Sequence, residues 1–102
     1  MNNITAFIAV KATPRAMTGY SDIAKTIAHF QHVDSIHLTS GVYDFFITLK
    51  CDNQEQVGYF VNNCLAPIDG IVSISTHFII GRYKESGVEL AADEDDRGLY
   101  TV

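Results

Sequence analysis

Ile36-His37-Leu38-Thr39-Ser40-Gly41-Val42-Tyr43-Asp44-Phe45-Phe46-Ile47-Thr48-Leu49 is the stretch that decides the fold. Two alternating apolar runs, Ile36–Thr39 and Phe45–Leu49, flank a turn centred on Gly41. Alternation has the period of a strand, and a glycine between two such runs marks a β-hairpin. One carboxylate, Asp44, stands at the mouth of that hairpin. It has no second acid beside it to share proton transfer, so it reads as a handle for a charged group and not as half of a catalytic pair.

Working outward, Ile4 to Lys11 alternates Ile4, Ala6, Ile8 and Val10 against Thr5, Phe7, Ala9 and Lys11, a strand that Thr13-Pro14-Arg15 breaks. From about Tyr20 the period changes. Tyr20, Ile23, Ile27 and Phe30 follow helical spacing, with Ser21 or Thr18 available as a cap and an end expected near Gln31-His32. Strands are expected over Val33–Thr39 and Tyr43–Cys51. Asp52 followed by Glu55 resembles a capping box opening a second helix, whose stripe is Val57, Phe60, Val61, Cys64 and Leu65. Pro67 and Gly70 stop it, and Ile71 to Tyr83 reads as a long last strand with Ile74, Thr76, Phe78 and Ile80 on one face.

The order is βαββαβ, an α+β ferredoxin-like fold with two helices on one face of a four-stranded antiparallel sheet. The other face carries Phe7, Phe46 and Ile79, too much apolar surface to leave in water. A second copy stacked sheet to sheet would bury it, giving a dimeric α/β barrel.

At 102 residues the chain makes one domain, able to bury roughly two-thirds of its unfolded surface. Its net charge is −5, from 12 acidic and 7 basic residues, with no basic stripe, which argues against direct contact with nucleic acid. No apolar run approaches a membrane span and Asn2-Asn3 lead directly into a strand, so a soluble, cytoplasmic protein is expected. Cys51 and Cys64 lack metal-type spacing and read as reduced, buried thiols. His29 and His32 stand three apart at a helix end without a third ligand, and His37 has no evident partner, so no metal or other cofactor is expected. Arg15 reads as a solvated loop charge. Residues 1–84 form the domain, and 85–102 an acidic extension with the run Asp93-Glu94-Asp95-Asp96. Its apolar end, Gly98 to Val102, is expected to pack on the domain or a neighbour.

Gly41-Val42-Tyr43-Asp44 in the hairpin, Cys64-Leu65-Ala66-Pro67 closing the second helix, Gly70-Ile71-Val72, and Thr76 on an apolar strand ending at Lys84 together resemble the effector-binding (RAM) domain of the Lrp/AsnC transcription regulators. The resemblance covers roughly Ile4 to Lys84. Only three residues precede the first strand, so it implies a stand-alone form without the helix-turn-helix domain. It also implies a non-enzymatic module for an amino acid or related metabolite, bound at contacts between dimers by Gly41, Val42, Tyr43 and Asp44 and completed by Thr76. The same resemblance implies a homodimer, its further assembly into a tetramer or octamer, and mixed assembly with full-length Lrp/AsnC regulators.

The chemistry of the residues agrees. Backbone N–H groups around Gly41-Val42 can cradle a carboxylate, and Asp44 can accept an ammonium group. The plainer alternative is that Gly41 only supplies the turn and Asp44 only caps it. Tyr43 either lines the pocket or fills an interface, and His77 faces the side opposite Thr76. Two other functions share this element order. A small monooxygenase-like enzyme would need inward His, Asn or Trp in the sheet-to-sheet cavity, whereas this chain has no Trp and scattered histidines. An ACT-type regulatory domain favours a glycine where Thr13-Pro14-Arg15-Ala16 stands.

Overall fold

In the computed structural model, residues 4–90 are described. Strands β1 (Ile4–Ala12), β2 (Val33–Leu38), β3 (Phe45–Cys51) and β4 (Ile71–Phe78) form one antiparallel sheet in the order β2-β3-β1-β4. Helix α1 (Ser21–Ala28) joins β1 to β2, and α2 (Gln54–Tyr59) runs on into a π-helical segment (Phe60–Leu65) before β4. This is the expected βαββαβ fold. The acidic segment's apolar end, Gly98 to Val102, lies outside the described residues.

Period-2 alternation sorts the sheet into two faces. Ala6, Ile8, Val10 and Ala12 of β1 and Phe45, Ile47, Leu49 and Cys51 of β3 are buried beneath the helices, against Ile23, Ile27, Val57, Phe60 and Leu65. Phe7 and Phe46 point the other way and remain 43% and 42% exposed. Cys51 is buried and Cys64 half-buried, both as free thiols.

Several element ends differ from expectation. Helix α1 stops at Ala28, because the N–H groups of His29 and Phe30 turn to the nearer carbonyls of Thr26 and Ile27. Phe30 then packs edge-on against Phe60, ring centroids 5.6 Å apart. Neither Ser21 nor Thr18 caps α1 with its side chain; Tyr20 holds the cap position, and the Ser21 N–H donates to the Thr18 carbonyl. The second helix is capped one residue later than Asp52. Asn53 Oδ1 accepts from the Gln56 N–H at 2.9 Å, while Gln56 Oε1 accepts from the Asp52 N–H at 2.8 Å. In the π segment the Ala66 N–H reaches the Val61 carbonyl, so residues five apart align, and Phe60 and Leu65 are buried while Val61 and Cys64 are only partly so.

Strand β4 ends at Phe78 and not at Tyr83. Its ladder with β1 ends where Phe78 faces Ala6, and among the described residues only the Ile79 N–H, donating to the Thr5 carbonyl, extends it. The chain instead folds back on itself as a small hairpin, β5 (Lys84–Glu85) with β6 (Val88–Glu89), which crosses the compositional boundary at residue 84.

The loops at the hairpin end of the sheet are fastened together. Gly70 has φ +101, and its carbonyl accepts from the Thr13 N–H at 2.8 Å. Arg15 is a strut there and not a solvated charge: it donates to the Asp69 carbonyl at 3.1 Å and pairs with Asp22 at 3.6 Å. A Cβ on Gly70 would lie 3.0 Å from Ile23 Cδ1 and 3.2 Å from the Thr13 carbonyl oxygen. Gly70→Ala should therefore destabilise the fold by about 1–3 kcal/mol. Gly58→Ala, with no atom within 4 Å of the new methyl, should stabilise it by up to about 1 kcal/mol. Urea unfolding midpoints moving in opposite directions for the two variants are the expected result.

Candidate functional site

The β2–β3 turn is closed by Thr39. Its N–H donates to the Asp44 carbonyl at 2.8 Å and its hydroxyl to the Tyr43 carbonyl at 3.1 Å. Gly41 has φ +115, a left-handed conformation that favours glycine, and no atom lies within 4 Å of where a Cβ would stand. The backbone N–H groups of Gly41 and Val42 have no hydrogen-bond partner among the described residues. Two donors and open space thus meet at the tip of the turn.

Asp44 is the best-connected residue of the site. Its N–H donates to the Val10 carbonyl at 2.8 Å. Its carboxylate accepts from the Ala12 N–H at Oδ2 (2.8 Å) and from the Tyr20 hydroxyl at Oδ1 (3.1 Å). Ala12 lies where the β1–β4 register shifts, and its N–H turns to this carboxylate. Asp44 therefore does not cap the turn, a task that falls to Thr39. It clamps the hairpin to β1 and to the start of α1. Each oxygen holds one donor, and a carboxylate offers about four lone-pair sites, so room for a further donor remains.

Tyr20 was not among the residues picked out for the site, since the two groups are 24 positions apart and only the folded sheet brings them together. Its ring packs edge-on against Phe45 at 5.5 Å. Burial first, then the hydrogen bond to Asp44 and its negative charge, pushes the Tyr20 hydroxyl above its usual 10.0.

Tyr43 packs against Phe46 with ring centroids 6.5 Å apart, which ties the turn to the open face of the sheet. Thr76 pairs with Ile8, one strand beyond β1 and further from the hairpin end. By strand spacing it stands roughly 14 Å from Asp44, so one chain alone does not bring it to the turn. His77 lies on the open face, where its Nε2 is 2.8 Å from Ser75 Oγ.

The remaining titratable groups form no second site of this kind. His29 Nδ1 is 2.6 Å from the Lys25 carbonyl and His32 Nδ1 3.2 Å from that of Lys50. No group of three or more metal-ligating side chains occurs among the described residues. The Cys51 thiol is pushed up by burial and then by Asp52, which keeps it protonated and poorly nucleophilic. No helix among the described residues is long and apolar enough to cross a membrane.

Two outcomes test the clamp. Asp44→Ala leaves the Ala12 N–H without its acceptor and should cost about 2 kcal/mol in denaturant unfolding. Because the folded protein holds the Tyr20 proton more tightly than the unfolded chain, the separate contribution of the Tyr20 hydroxyl is complete below pH 10.0 and is lost as pH rises through the higher folded value. An ultraviolet titration should show a tyrosine ionising above pH 10.0, a step absent in Tyr20→Phe.

With the geometry in place, similarity to known proteins is informative. Residues 5–89 match the model of the Lrp/AsnC ligand binding domain. An uncharacterized HTH-type transcriptional regulator of Bacillus subtilis, YugG, is 38% identical over 96 residues, covering 94% of this chain and 58% of its own length. An AsnC family transcriptional regulator from Agrobacterium tumefaciens superposes with a TM-score of 0.74 at 18% identity, covering 91% of this chain and 60% of that one. A transcriptional regulator from Neisseria meningitidis, solved as a complex with L-Met, gives 0.73 at 20% identity, covering 87% and 58%. The chain spans little more than half the length of the curated relatives it matches. Element order, the Gly41–Asp44 turn and a match over most of its length agree that this chain belongs to the Lrp/AsnC family, as a form of its ligand-binding domain.

Proposed function

We propose that this chain senses an amino acid or a related small metabolite at the Gly41 turn. The observation that carries this reading is the pairing of two free backbone donors, at Gly41 and Val42, with the fixed carboxylate of Asp44. A zwitterion needs an anion cradle and a cation acceptor close together, and Gly41 to Asp44 offer a candidate for each. Asp44 would accept the ligand's ammonium group on lone pairs that Ala12 and Tyr20 leave free. Tyr43, lodged against Phe46, would form an apolar wall. Thr76 would come from a neighbouring copy, which fits a site shared between dimers.

The dimer is the second half of the proposal. Phe7 and Phe46, each more than two-fifths exposed on one sheet face, are buried when a second copy stacks sheet to sheet. Ligand held between such dimers would favour a tetramer or octamer by mass action. Output would pass to transcription through mixed assembly with longer Lrp/AsnC regulators, without contact between this acidic chain and nucleic acid. The L-Met complex of the Neisseria neighbour supports an amino acid as the effector class.

A thermal-shift screen against the twenty amino acids should raise the melting temperature of the wild type with one or a few of them. In Asp44→Ala, the increment over the variant's own ligand-free melting point should vanish. No response to any amino acid would remove the effector reading, and a wild type that stays monomeric at micromolar concentration would remove the dimer.

A further inference from the structure

We propose that residues 80–90 form a clasp that grips a second copy of this chain. The inference rests on the sheet-to-sheet dimer above and names the element that holds it. Every residue from Ile80 to Leu90 is exposed. The segment is nevertheless folded. Lys84 pairs with Glu89 and Glu85 with Val88, and the Leu90 N–H donates to the Tyr83 carbonyl at 2.9 Å. Ser86 and Gly87 have φ of 50 and 83, both left-handed, as in the type I′ turn whose twist suits a two-residue hairpin.

The root of this arm is anchored on the open face of the sheet. The Ile79 N–H donates to the Thr5 carbonyl at 3.0 Å, and Arg82 Nη2 donates to Thr5 Oγ1 at 2.7 Å. Thr5 shares its face with Phe7, so the arm rises on the side away from the helices. A cavity of about 590 Å3 records this geometry: Thr5, Phe7 and Thr48 lie on the sheet, and Arg82 and Glu85 stand over them from the arm. Arg82 Nε lies 3.4 Å from Glu85, which braces that wall.

A second sheet laid on Phe7 and Phe46 therefore meets the arm. Either the arm obstructs it or the arm lies along it. Its side chains decide between these. Ile80, ahead of the hairpin, is 90% exposed and Val88, on it, 61%, and a two-stranded hairpin is at best marginally stable without cover. Arm and open face are continuous, so the partner that covers one covers the other. Under two-fold symmetry each copy gives an arm and receives one, and the contact closes at two.

Sedimentation velocity over a dilution series of the full chain tests this with two variants. Ile80→Glu/Val88→Glu places charges on the apolar side chains, and Gly87→Val strains the turn while leaving them in place. All three positions lie outside the core, and far-ultraviolet circular dichroism confirms the fold. Each variant should dissociate roughly ten- to a hundredfold more readily than wild type. Unchanged dissociation in both variants overturns the clasp and leaves the arm to another partner or to none, and tighter association overturns it by showing an obstruction. In either case the dimer itself stands. A wild type that is monomeric throughout overturns both the clasp and the dimer, and amino-acid binding at the Gly41 turn is then measured separately.

Discussion

The carboxylate of Asp44 is the point on which the architecture of the functional end depends. It binds an N–H freed where the β1–β4 ladder shifts and a hydroxyl at the start of α1, while the backbone of the same residue pairs with Val10. A partly buried charge is tolerated only when donors surround it, and the Ala12 N–H and the Tyr20 hydroxyl supply them. The consequence is mechanical. The tip of the β2–β3 turn cannot shift without disturbing both the central strand and the helix entry, so its free backbone donors are held in place before any ligand arrives.

That arrangement separates two tasks within six residues. Thr39 closes the loop, and Asp44 fastens it to the rest of the domain, which leaves Gly41 and Val42 with no structural duty beyond the turn. Groups without internal obligations are the ones available to a ligand. The same division holds on the larger scale of the sheet. One face is filled by the helices, whereas the other keeps two phenylalanines in water and carries the root of the 80–90 arm. Under the proposals above, sensing and assembly would occupy neighbouring surfaces, joined by the contact of Tyr43 with Phe46. An effector at the turn and a partner on the open face would feel each other through that pair of rings.

Compared with the longer regulators it resembles, this chain contains the sensing half of the family's architecture. The sheet order, the hairpin and the helix pair form that half, with a fully buried core drawn from Ala6 to Leu65 and Ile71 and Ile74 of β4 packed against it. What such a module adds to a cell would follow from which copies it joins, and under the proposals above the open face and the arm would make that choice.

Much of this was legible in the order of the residues. Alternation in Ile4–Lys11 and around Gly41, helical spacing after Tyr20, and the stripe from Val57 to Leu65 determined the element order and which face of each strand is buried, because a period of 2 or 3.6 is a local property of the chain. Other features were not. The partners of Asp44 lie 24 and 32 residues away, the end of β4 depends on its ladder with β1, and the Lys84–Glu89 hairpin sits in a stretch whose composition resembles a solvated tail. Those were settled by strand register and by which backbone groups remained unpaired once the sheet had formed, quantities that exist only when distant segments meet.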